Sequence, residues 1–169
     1  MQFRRKFRSA LTALALVVAP GVAVVGTATD AFAVTKISHA TATSMFRGAG
    51  ITWSSSGGCS DRNNPSCTSF EQLNLATAQG AQTFKQAIGC ALNITGGTET
   101  GHASGTYSHG NGYKLDYGKS TCVTTYIKNT FTYIGLRGDG APQYRSGSGN
   151  IYADEGNHWD VLYYNCGGC

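Results

Sequence analysis

All six cysteines of this chain lie behind a leader of export type, and that pairing constrains the fold more than any other feature. The leader has three parts. "MQFRRKFRS" is basic, "ALTALALVVAPGVAVV" is apolar, and "AFA" at Ala31–Ala33 is a small-x-small cleavage signal. Residues 1–33 are therefore expected to be a secretory signal peptide. The Arg4-Arg5-x-Phe7 run leaves the route open between general and twin-arginine export. Pro20 and Gly21 interrupt the apolar run, which argues against a membrane anchor. Exported cysteines in even number are expected to form disulfides. Six cysteines permit many pairings. The favoured set is Cys59–Cys67, closing "CSDRNNPSC", then Cys90–Cys122, leaving Cys166–Cys169. The other reading makes Cys166-x-x-Cys169 a zinc or redox motif, though no further Cys or His pair lies near it.

The remaining chain, residues 34–169, is long enough for a single domain with a core of its own. The leader holds Arg4, Arg5, Lys6, Arg8 and Asp30, so nine basic and eight acidic residues are left. The basic balance belongs to the leader. Neither a nucleic-acid partner nor, after signal cleavage, an anionic membrane is implied. A secreted, extracellular protein is expected.

The pattern along the chain points to an α+β fold. Ser38 to Arg47 can form a helix ended by Gly48 and Gly50, and "ITW" at Ile51–Trp53 is a short strand. Thr68 and Glu71 have capping-box spacing. Phe70, Leu73, Ala76 or Thr77, Ala81, Phe84 and Ile88 recur at threes and fours, so Thr68–Ile88 is expected to be an amphipathic helix with Gly89 as its stop. "ALNIT" alternates as a half-buried strand does. Gly96 to Gly112 is a long Gly, Thr, Ser and His loop, of a length that is usually functional or disordered. In "YKLDY", Tyr113, Leu115 and Tyr117 point one way and Lys114 and Asp116 the other. Thr121–Phe131 fits either helix or strand. "FTYIGLR" reads as a strand, "GDGAPQYRSGSGN" as a loop, and "IYA" with "HWDVLYY" as a closing pair. One helix ahead of several short strands suggests a small antiparallel sheet with flanking helices.

The chain has four histidines: His39, His102, His109 and His158. His109 stands seven residues before Asp116, and Glu155 stands three before His158. Three ligands drawn from His and Asp leave one position of a tetrahedral zinc ion open, which is the catalytic arrangement. A neighbouring carboxylate outside the ligand set can take a proton from water.

His-x6-Asp followed by Glu-x-x-His resembles the zinc D,D-peptidases of bacterial cell walls, a superfamily that also takes in lysostaphin-type endopeptidases and the Hedgehog signalling domain. Gly112, three after His109, matches the usual H-x-x-G-x-x-x-D core. The order of elements from Thr68 to Tyr164 is similar too. The resemblance implies that His109, Asp116 and His158 bind Zn2+ and that Glu155 is the general base. It implies a D,D-peptidase/Hedgehog-like fold and a metallopeptidase, a hydrolase of peptidoglycan stem or cross-link peptides, acting as a carboxypeptidase or endopeptidase; a monomer is expected. Three positions depart from the pattern. Tyr107 stands where a Ser is common, and Trp159 follows the last His rather than preceding it. The strand before the loop ends in "TGGTETGH", without the usual Arg. His102 is the expected catalytic substitute, helping to stabilise the oxyanion, with Arg62, Arg137 or Arg145 as other cations that can reach the site.

Plainer readings stand beside these. His109 can be a hydrogen-bonding loop residue, Asp116 a surface partner of Lys114, and Glu155 a turn acid before Gly156-Asn157. Asp160 either orients His158 or lies exposed. Trp159, Tyr163 and Tyr164 fit the core or the sheet surface. At the level of function the alternatives are a non-catalytic zinc-containing module that binds cell wall or protein, and a metal-free, disulfide-stabilised toxin or inhibitor.

Overall fold

The computed structural model describes residues 34–164. The expected leader and the expected Cys166–Cys169 bond lie outside the described residues. The chain begins with strand β1 (Lys36–Ile37) and helix α1 (His39–Gly48). Ser38 caps α1, its hydroxyl accepting from the Thr41 N–H, which satisfies one of the open donors of the first turn. Ala42, Thr43 and Phe46 form the buried face of α1. Strand β2 (Ile51–Trp53) follows, where the sequence predicts it.

The segment from Thr68 corrects the sequence reading. No helix starts there. Thr68 Oγ1 hydrogen-bonds the carbonyls of Ser54, at 2.8 Å, and Thr95, at 3.2 Å. Glu71 accepts from the His39 N–H at 2.9 Å, so the acid caps α1 and not a helix of its own. Gln72 has φ 64°, a left-handed conformation that no α-helix continues through. Strand β3 (Leu73–Asn74) pairs with β1, and helix α2 runs Leu75–Ile88. The apolar stripe is real over Thr77, Ala81, Phe84 and Ile88, all buried. Phe70 and Leu73 are buried through the tertiary fold and not through the helix. Gly89 ends α2 at φ 65°, as a helix stop should.

Strands β4 (Leu92–Gly96) and β5 (Lys114–Gly118) flank the long loop. Thr121–Thr130, ambiguous by pattern, is helix α3, capped by Ser120. Strand β6 (Thr132–Leu136) comes next. The expected loop after it contains a strand, β7 (Pro142–Arg145). Pro142 sits at the first position of β7, where a missing N–H is tolerated. Pairing with β6 on one side and β8 on the other outweighs the turn-rich composition. Strands β8 (Ile151–Asp154) and β9 (His158–Leu162) close the sheet.

The seven-stranded sheet has the order β2-β4-β5-β9-β8-β7-β6. Every neighbouring pair is antiparallel except β2 with β4. The class is mixed α and β, with the sheet mostly antiparallel. Side chains alternate across each strand. Leu115 and Tyr117 of β5, with Trp159 and Val161 of β9, face the helices and join one core with Phe46, Phe84 and Ile127. Phe84 stacks on Tyr117 with ring centres 5.6 Å apart, and the hydroxyls of Tyr117 and Tyr163 meet at 2.6 Å. Each such large side chain contributes roughly 1.5–3 kcal/mol by leaving water. The alternate residues, Lys114, Asp116, His158 and Asp160, stand on the other face. Two disulfides link Cys59 to Cys67 and Cys90 to Cys122. The second joins the end of α2 to the start of α3. No helix among the described residues is long and apolar enough to cross a membrane.

Candidate metal centre

Register builds the site. β5 and β9 pair so that Asp116 lies opposite Asp160 and Gly118 opposite His158. The Gly96–Gly112 loop folds over this face and brings two histidines down to it. Gly112 makes the sharp return, at φ 76°, and a Cβ there would sit 2.5 Å from the Gln72 carbonyl oxygen. Only glycine fits the bend.

His109 is buried. Its Nδ1 donates to the Gly97 carbonyl at 2.8 Å. That contact fixes the ring and leaves Nε2 facing two carboxylates, Asp116 Oδ1 at 3.2 Å and Asp160 Oδ1 at 3.5 Å. His158 Nε2 reaches the same Asp116 Oδ1 at 3.5 Å and Glu155 Oε2 at 3.2 Å. His102 Nδ1 lies 3.9 Å from Asp116 Oδ2, and its ring stacks on that of His109 at 3.8 Å. The structure thus places His102, His109, Asp116, Glu155 and His158 around one open cavity of about 600 Å³.

The donor geometry differs in one respect from the motif. The ligating atoms of His102, His109 and Asp116 all lie within 4.8 Å of one another and could hold a metal ion. His158 approaches Asp116 from the side of Glu155. Asp116 Oδ1 is buried and makes no hydrogen bond, as is Asp160 Oδ1. A buried carboxylate oxygen without a donor is costly, and a cation beside it relieves that cost. The chemistry of the set, imidazole nitrogens with carboxylate oxygens, suits a divalent transition ion.

Several charged residues complete the wall. Asp160 is buried, and it is not the partner of His158. Its Oδ2 accepts from Lys114 Nζ and from Arg137 Nη1, each at 2.7 Å. Lys114 therefore pairs with Asp160, not with Asp116. Arg137 also pairs with Asp139 at 2.6 Å and with Glu155 Oε1. Of the three arginines considered from sequence, Arg137 enters the site. Arg62 donates to the carbonyls of Thr98 and Gly110 beneath the loop, and Arg145 lines a neighbouring groove.

The electrostatics follow the contacts. Burial pulls the His109 imidazolium down, but Asp116 and Asp160 outweigh it and raise the group to about 9. Burial pushes Asp160 up, and His109 and Lys114 more than reverse this, so it is held well below the usual carboxylate range. Hydrogen bonds from Arg137 keep Asp139 down at about 2.

Sequence reasoning missed Glu99. It is buried in the loop and its Oε1 meets His102 Nε2 at 3.2 Å. Glu99-x-x-His102 has the same spacing as Glu155-x-x-His158, and that repetition was the available signal.

No family model, curated protein or solved structure matches the chain.

Proposed function

We propose that this chain is a secreted, zinc-dependent peptidase with a D,D-peptidase-like fold, acting on peptide bonds of bacterial cell-wall peptides. The observation that carries the reading is Asp116 Oδ1, buried and without a hydrogen bond, with imidazole nitrogens at 3.2 and 3.5 Å. His109, Asp116 and His158 would hold the ion. Such an ion supplies Lewis acidity, polarising a carbonyl and acidifying water. Glu155 sits on the exposed rim with Arg137 on one oxygen and His158 on the other. Held there, its carboxylate is placed to take a proton from the attacking water and to pass it to the leaving amine. Arg137 stands where it can neutralise negative charge on the substrate carbonyl.

The nearness of His102 favours a second reading. Four protein donors close a tetrahedral ion, as in structural sites. The chain would then be a zinc-containing module that binds cell-wall peptides without cutting them. Metal analysis of the protein from Val34 onward, with hydrolysis of cell-wall peptides by wild type and Glu155→Ala, tests both. One zinc per chain, kept in Glu155→Ala while hydrolysis is lost, supports the peptidase. Absence of zinc from the supplemented wild type overturns both readings.

A further inference from the structure

Two Glu-x-x-His pairs flank Asp116, one on each of its oxygens. In both, a carboxylate oxygen lies 3.2 Å from the histidine Nε2. Their surroundings differ. Glu155 is on the rim, whereas Glu99 is buried at 4 % exposure beneath the loop. Glu99 Oε2 accepts from the Ser69 N–H at 2.7 Å, and both its oxygens accept from the Gly97 N–H, at 3.0 and 3.1 Å. Both Glu99 oxygens already accept from backbone N–H groups, so the carboxylate meets His102 as an acceptor. The proton it shares with His102 belongs to Nε2. A neutral imidazole carrying its hydrogen on Nε2 bears its lone pair on Nδ1. That Nδ1 faces Asp116. The ring cannot swing away freely, because it is stacked on His109. Gly97 ties the two histidines together: its N–H goes to Glu99 and its carbonyl to His109 Nδ1.

We infer that Glu99 is a positioning residue that locks His102 as the Nε2–H tautomer, so that His102 Nδ1 joins His109 Nε2 and Asp116 as a ligand of the metal ion. The role differs from the oxyanion donor expected of His102, since a lone pair cannot donate. It rests on the metal-binding reading above, and with His158 as a fourth donor it favours the closed, non-cutting form of that reading. A carboxylate behind a ligating histidine sets both the ring orientation and its basicity, and removing one typically weakens metal affinity about 10–100-fold.

The test uses the protein from Val34 onward, labelled with 15N-histidine. Long-range 1H–15N spectra of the metal-free protein read the His102 tautomer directly, and zinc titration reads affinity. Wild type should show His102 as Nε2–H. Glu99→Gln should lose that preference and bind zinc about 10–100-fold more weakly. His102→Ala should weaken zinc at least as much, and it keeps the measurement decisive if Glu99→Gln does not fold. A wild-type His102 protonated on Nδ1 overturns the inference. So does unchanged zinc affinity in Glu99→Gln or His102→Ala while wild type binds zinc, and in that case the metal reading survives. A wild type with the Nε2–H tautomer that takes up no zinc overturns the metal reading, and the ligand role with it.

Discussion

Asp116 and Asp160 face each other across the β5–β9 pair, and each buries an Oδ1 that makes no hydrogen bond. Like charges directly opposite on neighbouring strands destabilise a sheet. His109 Nε2 lies against both, at 3.2 and 3.5 Å, so the pair calls for a cation: an imidazolium or a metal ion.

The pH dependence of stability should differ between the metal-free and zinc-loaded protein. His109 is raised from its ordinary 6.5 to about 9. A raised histidine stabilises fully below the unfolded value, and that stability is lost as pH climbs through about 9. Asp160 is depressed, so its contribution is present above the ordinary carboxylate range and lost in acid. Metal-free protein should therefore be most stable near pH 4–6.5 and lose on the order of 2–3 kcal/mol by pH 9–10. Zinc needs the neutral imidazole, so its stabilisation should grow over the same interval. Thermal unfolding from pH 5 to 10, with zinc and with chelator, checks both signs. Parallel curves would refute the prediction.

Removing the rim carboxylate should separate chemistry from binding. Glu155→Ala is expected to lower the turnover of cell-wall peptides about 100- to 10,000-fold and to leave zinc content and melting temperature nearly unchanged, because Glu155 is exposed. Steady-state hydrolysis beside metal analysis decides it.

Gly97 has no room for a side chain. A Cβ there would sit 2.0 Å from the Ser69 carbonyl oxygen, a backbone atom that cannot step aside. Gly97→Ala should cost at least about 1–3 kcal/mol and disturb His109 and Glu99, both of which bond Gly97. Gly48→Ala in α1, where a Cβ meets nothing within 4 Å, should stabilise slightly. Denaturant unfolding of the two variants should move in opposite directions.

Loss of the Cys90–Cys122 bond should be the costlier of the two disulfide deletions. It closes a separation of 32 residues against 8 for Cys59–Cys67. Loop-closure entropy puts the losses at about 3.7 and 2.6 kcal/mol. Paired Cys→Ala variants measured by denaturant unfolding should preserve that order.

Local chemistry determined much of this protein on its own. The stretch from Ser38 to Arg47, with Gly48 and Gly50 behind it, reads as α1. The stripe from Thr77 to Ile88 with Gly89 behind it specifies most of α2. Alternation in "YKLDY" puts Asp116 opposite to Leu115 and Tyr117. Of the many pairings six cysteines permit, two of the favoured ones are found bonded. His-x6-Asp and Glu-x-x-His spacing, with the family resemblance it carries, marks His109, Asp116, Glu155 and His158, and the structure sets them around one cavity. What tertiary structure decided was partnership. Thr68 and Glu71 have the spacing of a capping box, yet Ser54, Thr95 and the N-terminus of α1 compete for their side chains and win. The Pro142–Arg145 segment has the composition of a loop, and becomes a strand because neighbours on both sides offer it hydrogen bonds. Glu99 shares the Glu-x-x-His spacing of Glu155, and Asp160 lies between Trp159 and Val161, but neither local pattern names a partner; the loop and the β5–β9 register bury them against histidines, lysine and arginine. Local spacing specifies which donors share a face. Which carboxylate stands behind which imidazole depends on strand register and loop closure, which no short stretch of sequence contains.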